Sequence, residues 1–188
     1  MYQRWFKRLF DAAAAIAALI LLSPLLLLIA VLIRTMDPGP VIFVQQRVGR
    51  GGRLFQFFKF RSMPCGTPEL TSDRINELKI TAIGRFIRRT NIDELPQLAN
   101  VLSGDMSLVG PRPPIASQHE LIELRRASGA LDCRPGLTGL AQVCSFDNMN
   151  VAEKAAFDAE YADRVSLMGD LDIMVRTVGY LLRPPPKY

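Results

Sequence analysis

Histidine is almost missing from this chain: His119 is the only one in 188 residues. A multi-histidine metal site is therefore impossible, and any Ser-His-Asp arrangement would depend on that one residue. Cysteine is scarce too. Cys65, Cys133 and Cys144 are widely spaced and form no Cys-x-x-Cys pair, which excludes a disulfide framework and a thiolate zinc site and points to a reducing compartment. The Gly-rich stretch Gly49–Gly52 lacks both the Lys-Ser/Thr of a Walker A loop and the spacing of a dinucleotide fingerprint. There is no internal repeat and no recognisable nucleic-acid-binding motif, so the net charge of +5 is not by itself a sign of nucleic acid. With nucleophilic thiols and imidazoles so few, carboxylates are the natural candidates for acid, base or nucleophile.

What the chain does have is one concentrated apolar run. Ala12 to Ile33 contains only two residues that are not apolar, Ser23 and Pro24, at its middle. Outside it the apolar fraction falls to about 43%, ordinary for a globular domain. As a helix the run would be about 33 Å long, enough for a hydrocarbon core of about 30 Å. A cleaved signal peptide fits the basic start, but the run is too long and no small-residue cleavage site follows. Two topologies stay open. A spanning helix is the simplest. Pro24, however, removes a donor and clashes with the carbonyl of Ile20, and Ser23 can bond back one turn. Basic residues also flank both ends: Arg4, Lys7 and Arg8 before, Arg34, Arg47, Arg50 and Arg53 after. A helix-break-helix entering and leaving one leaflet keeps both flanks on the same side.

After the loop Asp37–Pro40, the segments 41–48 and 53–63 read as two strands of a hairpin. Alternation puts Phe55, Phe57, Lys59 and Arg61 on one face, two cations that either bind phosphate or line a solvated edge. Thr81 to Arg89 reads as a short amphipathic helix whose basic face suits an anionic membrane surface or plain solvent. A further helix is expected to open at Asp93-Glu94-Leu95-Pro96, followed by a strand near Met106–Val109 and a Gly/Pro-rich stretch from Arg134 to Val143. Asn150 and Glu153 have the spacing of a capping box. A last helix carries Leu171, Met174, Val175, Val178 and Leu182 on one face and stops at Arg183–Pro186.

Asp93 and Glu94 fit two roles: an N-cap acid with a dipole-favoured neighbour, or a carboxylate nucleophile and partner that together bind Mg²⁺ through oxygen ligands. Arg112, between prolines in Gly110–Pro114, is either a turn arginine or a preorganised phosphate ligand.

The strings 59–63 (KFRSM), 88–98 (RRTNIDELPQL), 104–113 (GDMSLVGPRP) and 134–143 (RPGLTGLAQV) occur in this order. Together they resemble the bacterial sugar transferase family, the monotopic phosphoglycosyl transferases, from the basic N-terminus to about Thr177. The resemblance implies an α+β, membrane-associated domain with a short β-hairpin, amphipathic interfacial helices and a re-entrant helix-break-helix at residues 1–36. Residues 37–188 would be the catalytic domain on the cytoplasmic face of the inner membrane. It implies a minimal catalytic unit that moves a sugar-1-phosphate from a UDP-sugar to polyprenol phosphate, with Asp93 as nucleophile, UMP released and Glu94 placing Mg²⁺. Arg112 and Lys59 would bind phosphate, with Arg61 and Gln142 as further substrate contacts, and Ser23-Pro24 would be the membrane break. A non-catalytic scaffold binding anionic lipid is the competing expectation. Where many members continue Gly-Arg-Asn after Ala-Gln-Val, this chain has Cys144 to Asn148, which leaves the sugar open. Asp170 resembles a late acidic feature without an assigned role. The sugar, pathway and oligomeric state are not legible.

Overall fold

The computed structural model describes residues 2–67, 80–144 and 149–181. The loop expected over 64–79, the departure at Ser145–Asn148, and Leu182 with the helix stop at 183–186 therefore lie wholly or partly outside the described residues.

The apolar run forms α1 (Lys7–Met36), a helix long and apolar enough to cross a membrane, preceded by a π-helical turn at Tyr2–Phe6. The expected division into two helices is corrected here: α1 is continuous, with Pro24 inside it. Pro24 has no N–H for the carbonyl of Ile20, and the Ser23 hydroxyl donates to that same oxygen at 2.8 Å. One side chain thus takes the acceptor that the proline leaves, and the helix carries on.

Burial along α1 follows one face. Lys7, Asp11, Ala15, Ile29 and Ile33 are buried, and Ala18, Leu19, Leu25 and Leu26 between them are half-buried against the cores, while Ile20, Leu21, Leu27 and Leu28 on the other side are exposed. The hairpin explains how both ends rest on one body. Strands β1 (Ile42–Val48) and β2 (Leu54–Phe60) pair antiparallel, from Ile42 opposite Phe60 to Val48 opposite Leu54. Phe57 and Phe60 fall on opposite faces of β2. Phe57 belongs to a core with Ala15, Leu98, Val101 and Met106; Phe60 belongs to another with Ile29, Ile33, Ile83 and Ile87.

Helix α2 (Ala82–Arg89) is capped by Thr81, whose hydroxyl accepts from Gly84 N. Its Ile83 and Ile87 are buried, while Phe86 is exposed beside Arg85 and Arg89. Then come α3 (Gln97–Ser103), β3 (Ser107–Val109), α4 (His119–Ala127), β4 (Gly136–Thr138) and α5 (Leu140–Cys144). The expected hairpin is therefore joined by a second two-stranded sheet, in which β4 runs parallel to β3. Sequence reading marks 134–143 only as a Gly/Pro-rich stretch and assigns it no strand or helix. Tertiary contact requires those glycines: a Cβ at Gly136 would collide with the backbone of Gly110 and Thr138.

Helix α6 (Val151–Asp163) has the expected capping box, with both reciprocal bonds between Asn150 and Glu153 formed. On α7 (Leu167–Leu181) the apolar stripe is not the buried face: Val175 and Val178 are exposed, and Asp170 and Ile173 are buried instead. Helix α7 docks through Ile173 and Met174, against a core with Val109 and Tyr161, and through the polar bonds of Asp170.

Candidate active site

Asp93 does not cap a helix, as the sequence allowed. After α2, Asn91 adopts a left-handed conformation (φ 54°), and a 3₁₀ turn at Ile92–Glu94 carries both carboxylates before α3 begins at Gln97. The reversal at Asn91 turns Asp93 inward, leaving it 6% exposed.

The charges around it have distinct fates. Burial, and next the negative charge of Glu94, push the Asp93 carboxyl up to about 6 against the pull of Lys59, Arg88 and Arg112. Burial, with Arg88 and Arg47 nearby, pushes the Lys59 ammonium down to about 8, although Asp93 and Glu94 favour its charged form. For Glu94 burial works toward neutrality, but the charge and hydrogen bonds of Arg112, with Lys59 and Gln97, outweigh it and hold the group below its ordinary range. Arg112 grips Glu94 with both terminal nitrogens: Nη1 lies 3.2 Å from Oε2, and Nη2 pairs with Oε1. Lys59 is steered by β2, its Nζ 5.2 Å from the centroid of the Phe43 ring on the paired strand.

The loop that carries Arg112 is pinned at four successive carbonyls. Pro111 O accepts from Gly136 N (2.9 Å), Arg112 O from Arg125 Nη1 (2.9 Å), Pro113 O from Arg47 Nη1 (3.2 Å) and Pro114 O from Val48 N (2.9 Å). Arg125 is itself buried and paired with Asp158 on α6, with Nε and Nη2 at 2.8 and 2.6 Å from Oδ2. Arg125→Lys keeps a charge opposite Asp158 but cannot serve both partners in this planar geometry. It is expected to cost about 1–3 kcal/mol of stability, measured by urea unfolding.

The structure thus gathers Asp93, Glu94, Arg112 and Lys59. Arg61 goes elsewhere: its guanidinium is buried against Asp37, with Nη2 3.3 Å from Oδ2 and a bond to the Asp37 carbonyl, so it clamps the exit of α1. Gly39 makes room for it, since a Cβ there would strike Arg61 and Cys65. Gln142 sits on α5 beside Gly139. Its Nε2 donates to Leu137 O at 3.3 Å, and its Oε1 is buried without a hydrogen bond among the described residues.

Two contributors escaped sequence reading. Arg88 acts on both Asp93 and Lys59, yet its spacing placed it only on a basic helix face. Gln97, 1% exposed, lies close enough to favour ionised Glu94, but its Nε2 is buried without a hydrogen bond among the described residues; only its place in the Asp93–Leu98 string marked it.

No group of three or more His, Cys, Asp or Glu side chains able to hold a metal forms among the described residues. Asp93 and Glu94 are adjacent carboxylates of the oxygen-donor kind that Mg²⁺ takes, with both Glu94 oxygens held by Arg112.

The family model described as bacterial sugar transferase matches residues 2–184. The chain is 40% identical to the undecaprenyl-phosphate galactose phosphotransferase of Salmonella typhimurium, over 98% of this chain and 42% of that protein. It is 41% identical to the UDP-glucose:undecaprenyl-phosphate glucose-1-phosphate transferase of Caulobacter vibrioides, over 97% of this chain and 72% of the relative. It is also 38% identical to the exopolysaccharide production protein ExoY of Rhizobium meliloti, over 92% and 83% respectively. The chain therefore spans less than half of the Salmonella protein and most of the other two. With a family match across almost its whole length, this chain belongs to the bacterial sugar transferase family.

Proposed function

We propose that the chain is a phosphoglycosyl transferase that moves a sugar-1-phosphate from a UDP-sugar to polyprenol (undecaprenyl) phosphate at the cytoplasmic face of the bacterial inner membrane. Such a transfer is a first membrane step of glycoconjugate assembly. The observation that carries this is the buried Asp93 carboxylate beside Lys59 and the Arg112–Glu94 pair; the names of the relatives supply the substrate class.

An Asp93 oxygen attacks the phosphorus next to the sugar. The bond from that phosphorus to the bridging oxygen breaks, UMP leaves, and Asp93 holds the sugar phosphate as an acyl phosphate. An oxygen of polyprenol phosphate then attacks the same phosphorus, giving the polyprenyl diphosphate sugar and freeing Asp93. Lys59 and Arg112 neutralise charge on the phosphoryl oxygens, and the pinned 111–114 loop presents Arg112 without reorganisation. When bound, Mg²⁺ on Asp93 and Glu94 would supply further neutralisation of the diphosphate. The direct test omits the acceptor: intact-mass spectrometry across a panel of UDP-sugars should show one sugar phosphate added at Asp93. A chain that releases no UMP with any sugar, yet still binds anionic vesicles, would be the lipid scaffold instead.

The pH dependence follows from the two shifted groups. Asp93 must be ionised to attack, so kcat/KM should rise through about pH 6. Lys59 must be charged to receive phosphate, so it should fall through about pH 8. A profile flat across both would contradict these roles.

We also propose that α1 is re-entrant. Both of its ends rest on the same body, on opposite faces of β2, while one side of its middle is exposed and apolar. Cysteines introduced at Gln3 and Asp37 should both label from the cytoplasmic side; labelling from opposite sides would establish a spanning helix.

A further inference from the structure

At the end of α3 remote from Asp93, three arginines converge. Arg8 of α1 donates through Nη2 to Leu102 O at 2.6 Å and through Nη1 to Val101 O, capping the last carbonyls of α3. A Cβ on Gly104 would lie 3.5 Å from the Arg8 guanidinium carbon, and Arg134 Nε donates to the Gly104 carbonyl at 3.1 Å, so both guanidinium groups flank one residue. From the hairpin turn, Arg50 Nε reaches Asp132 O at 2.8 Å, two residues before Arg134.

Among the described residues every hydrogen-bond acceptor of the three is a neutral backbone carbonyl. Among the described residues none forms an ion pair, although Asp11, Asp105 and Asp132 are nearby in the chain or fold. Asp11 is committed to Ser107 Oγ and Leu108 N, and Asp105 accepts from Ser103. Burial, then the charges of Arg50 and Arg8, lower the affinity of Arg134 for its proton. Asp11 offsets this in part, but among the described residues the three guanidinium groups stay together with no ion pair of their own.

The neighbouring surface identifies the missing anion. Trp5, Phe6 and Leu9, on the same end of α1 as Arg8, are 74%, 53% and 71% exposed. Tryptophan and phenylalanine beside arginine at the end of a long apolar helix suit the headgroup layer, where rings meet the acyl boundary and guanidinium meets phosphate.

We propose that Arg8, Arg50 and Arg134 form a binding site for the headgroup phosphate of an anionic phospholipid, separate from the catalytic site at the other end of α3. This rests on the membrane placement of α1 given above and adds a specific lipid contact to it.

Native mass spectrometry of the full chain, released from mixed phosphatidylcholine and phosphatidylglycerol, tests it. The wild type should retain phosphatidylglycerol in preference to phosphatidylcholine. Arg50→Gln, on an exposed side chain, should weaken retention about fivefold, and Arg50→Gln with Arg134→Gln more strongly. Arg126→Gln, an exposed arginine paired with Glu123, should leave retention unchanged. Equal retention of both lipids, undiminished retention in Arg50→Gln, or full displacement by inorganic phosphate would overturn the proposal, the last by showing a site for free anions. UMP release in phosphatidylcholine nanodiscs, measured on the same proteins, separates the two claims: its persistence without lipid selectivity sinks only this site, and its absence with selectivity sinks only the catalytic reading.

Discussion

Asp93→Asn is expected to lower UMP release by about a thousandfold or more, because an amide oxygen cannot form the acyl phosphate. The variant should nonetheless be the more stable protein. Asp93 is raised from an ordinary value of 3.8 to about 6 in the folded state. A carboxyl shifted in this direction binds its proton more tightly when folded, so the fold is favoured at low pH and loses stability as pH climbs from 3.8 through 6. Above that window the cost is about 3 kcal/mol. Asparagine carries no such cost, so its melting temperature should exceed wild type at pH 8, and the gain should shrink toward pH 4. Activity equal to wild type would remove Asp93 as nucleophile. A lower melting temperature at pH 8 would mean that the carboxylate is well satisfied rather than held in readiness.

The second large effect is on folding. Asp170, 2% exposed, gathers three partners from distant parts of the chain. Its Oδ2 accepts from Tyr2 Oη and Lys7 Nζ, each at 2.6 Å. Its Oδ1 lies 2.9 Å from the Tyr161 hydroxyl, which shares its proton with Val109 O, also at 2.9 Å. Asp170→Ala leaves a buried Lys7 ammonium unpaired and the Tyr2 phenol without its acceptor, while Tyr161 keeps Val109 O, and should destabilise the chain by about 3–5 kcal/mol. Asp170→Asn keeps the acceptor oxygen and should lose less. Lys7→Met in the Asp170→Asn background should recover part of the loss, since the uncompensated charge goes with it. Urea unfolding of wild type, Lys7→Met, Asp170→Asn and the double variant gives the coupling directly; additive losses would show that Lys7 and Asp170 do not act as a pair. Because Val109 precedes the Gly110–Pro114 loop, loosening this hub also loosens the support of Arg112.

Features governed by local pattern were legible in the sequence. The apolar run, the 41–63 hairpin, the Thr81–Arg89 helix and the Asn150–Glu153 capping box need only neighbours within a few residues. The four ordered strings named the family and marked Asp93, Glu94, Arg112 and Lys59. Other features depended on partners far along the chain, and only the tertiary structure decided them. Lys59 and Arg61 share an alternation pattern, but Arg61 is claimed by Asp37 while Lys59 is held near Asp93 and Glu94. The α7 stripe predicted by hydrophobic spacing lies outward because Asp170 meets Lys7 across 163 residues of sequence. The β3–β4 pairing came from glycines whose value lies in how closely another backbone can approach. The sparse histidines and cysteines already excluded most other chemistry and left carboxylates as candidates. Which carboxylate would be buried, raised and ringed by cations was settled by desolvation and Coulomb interactions, and these depend on three-dimensional proximity rather than on order along the chain.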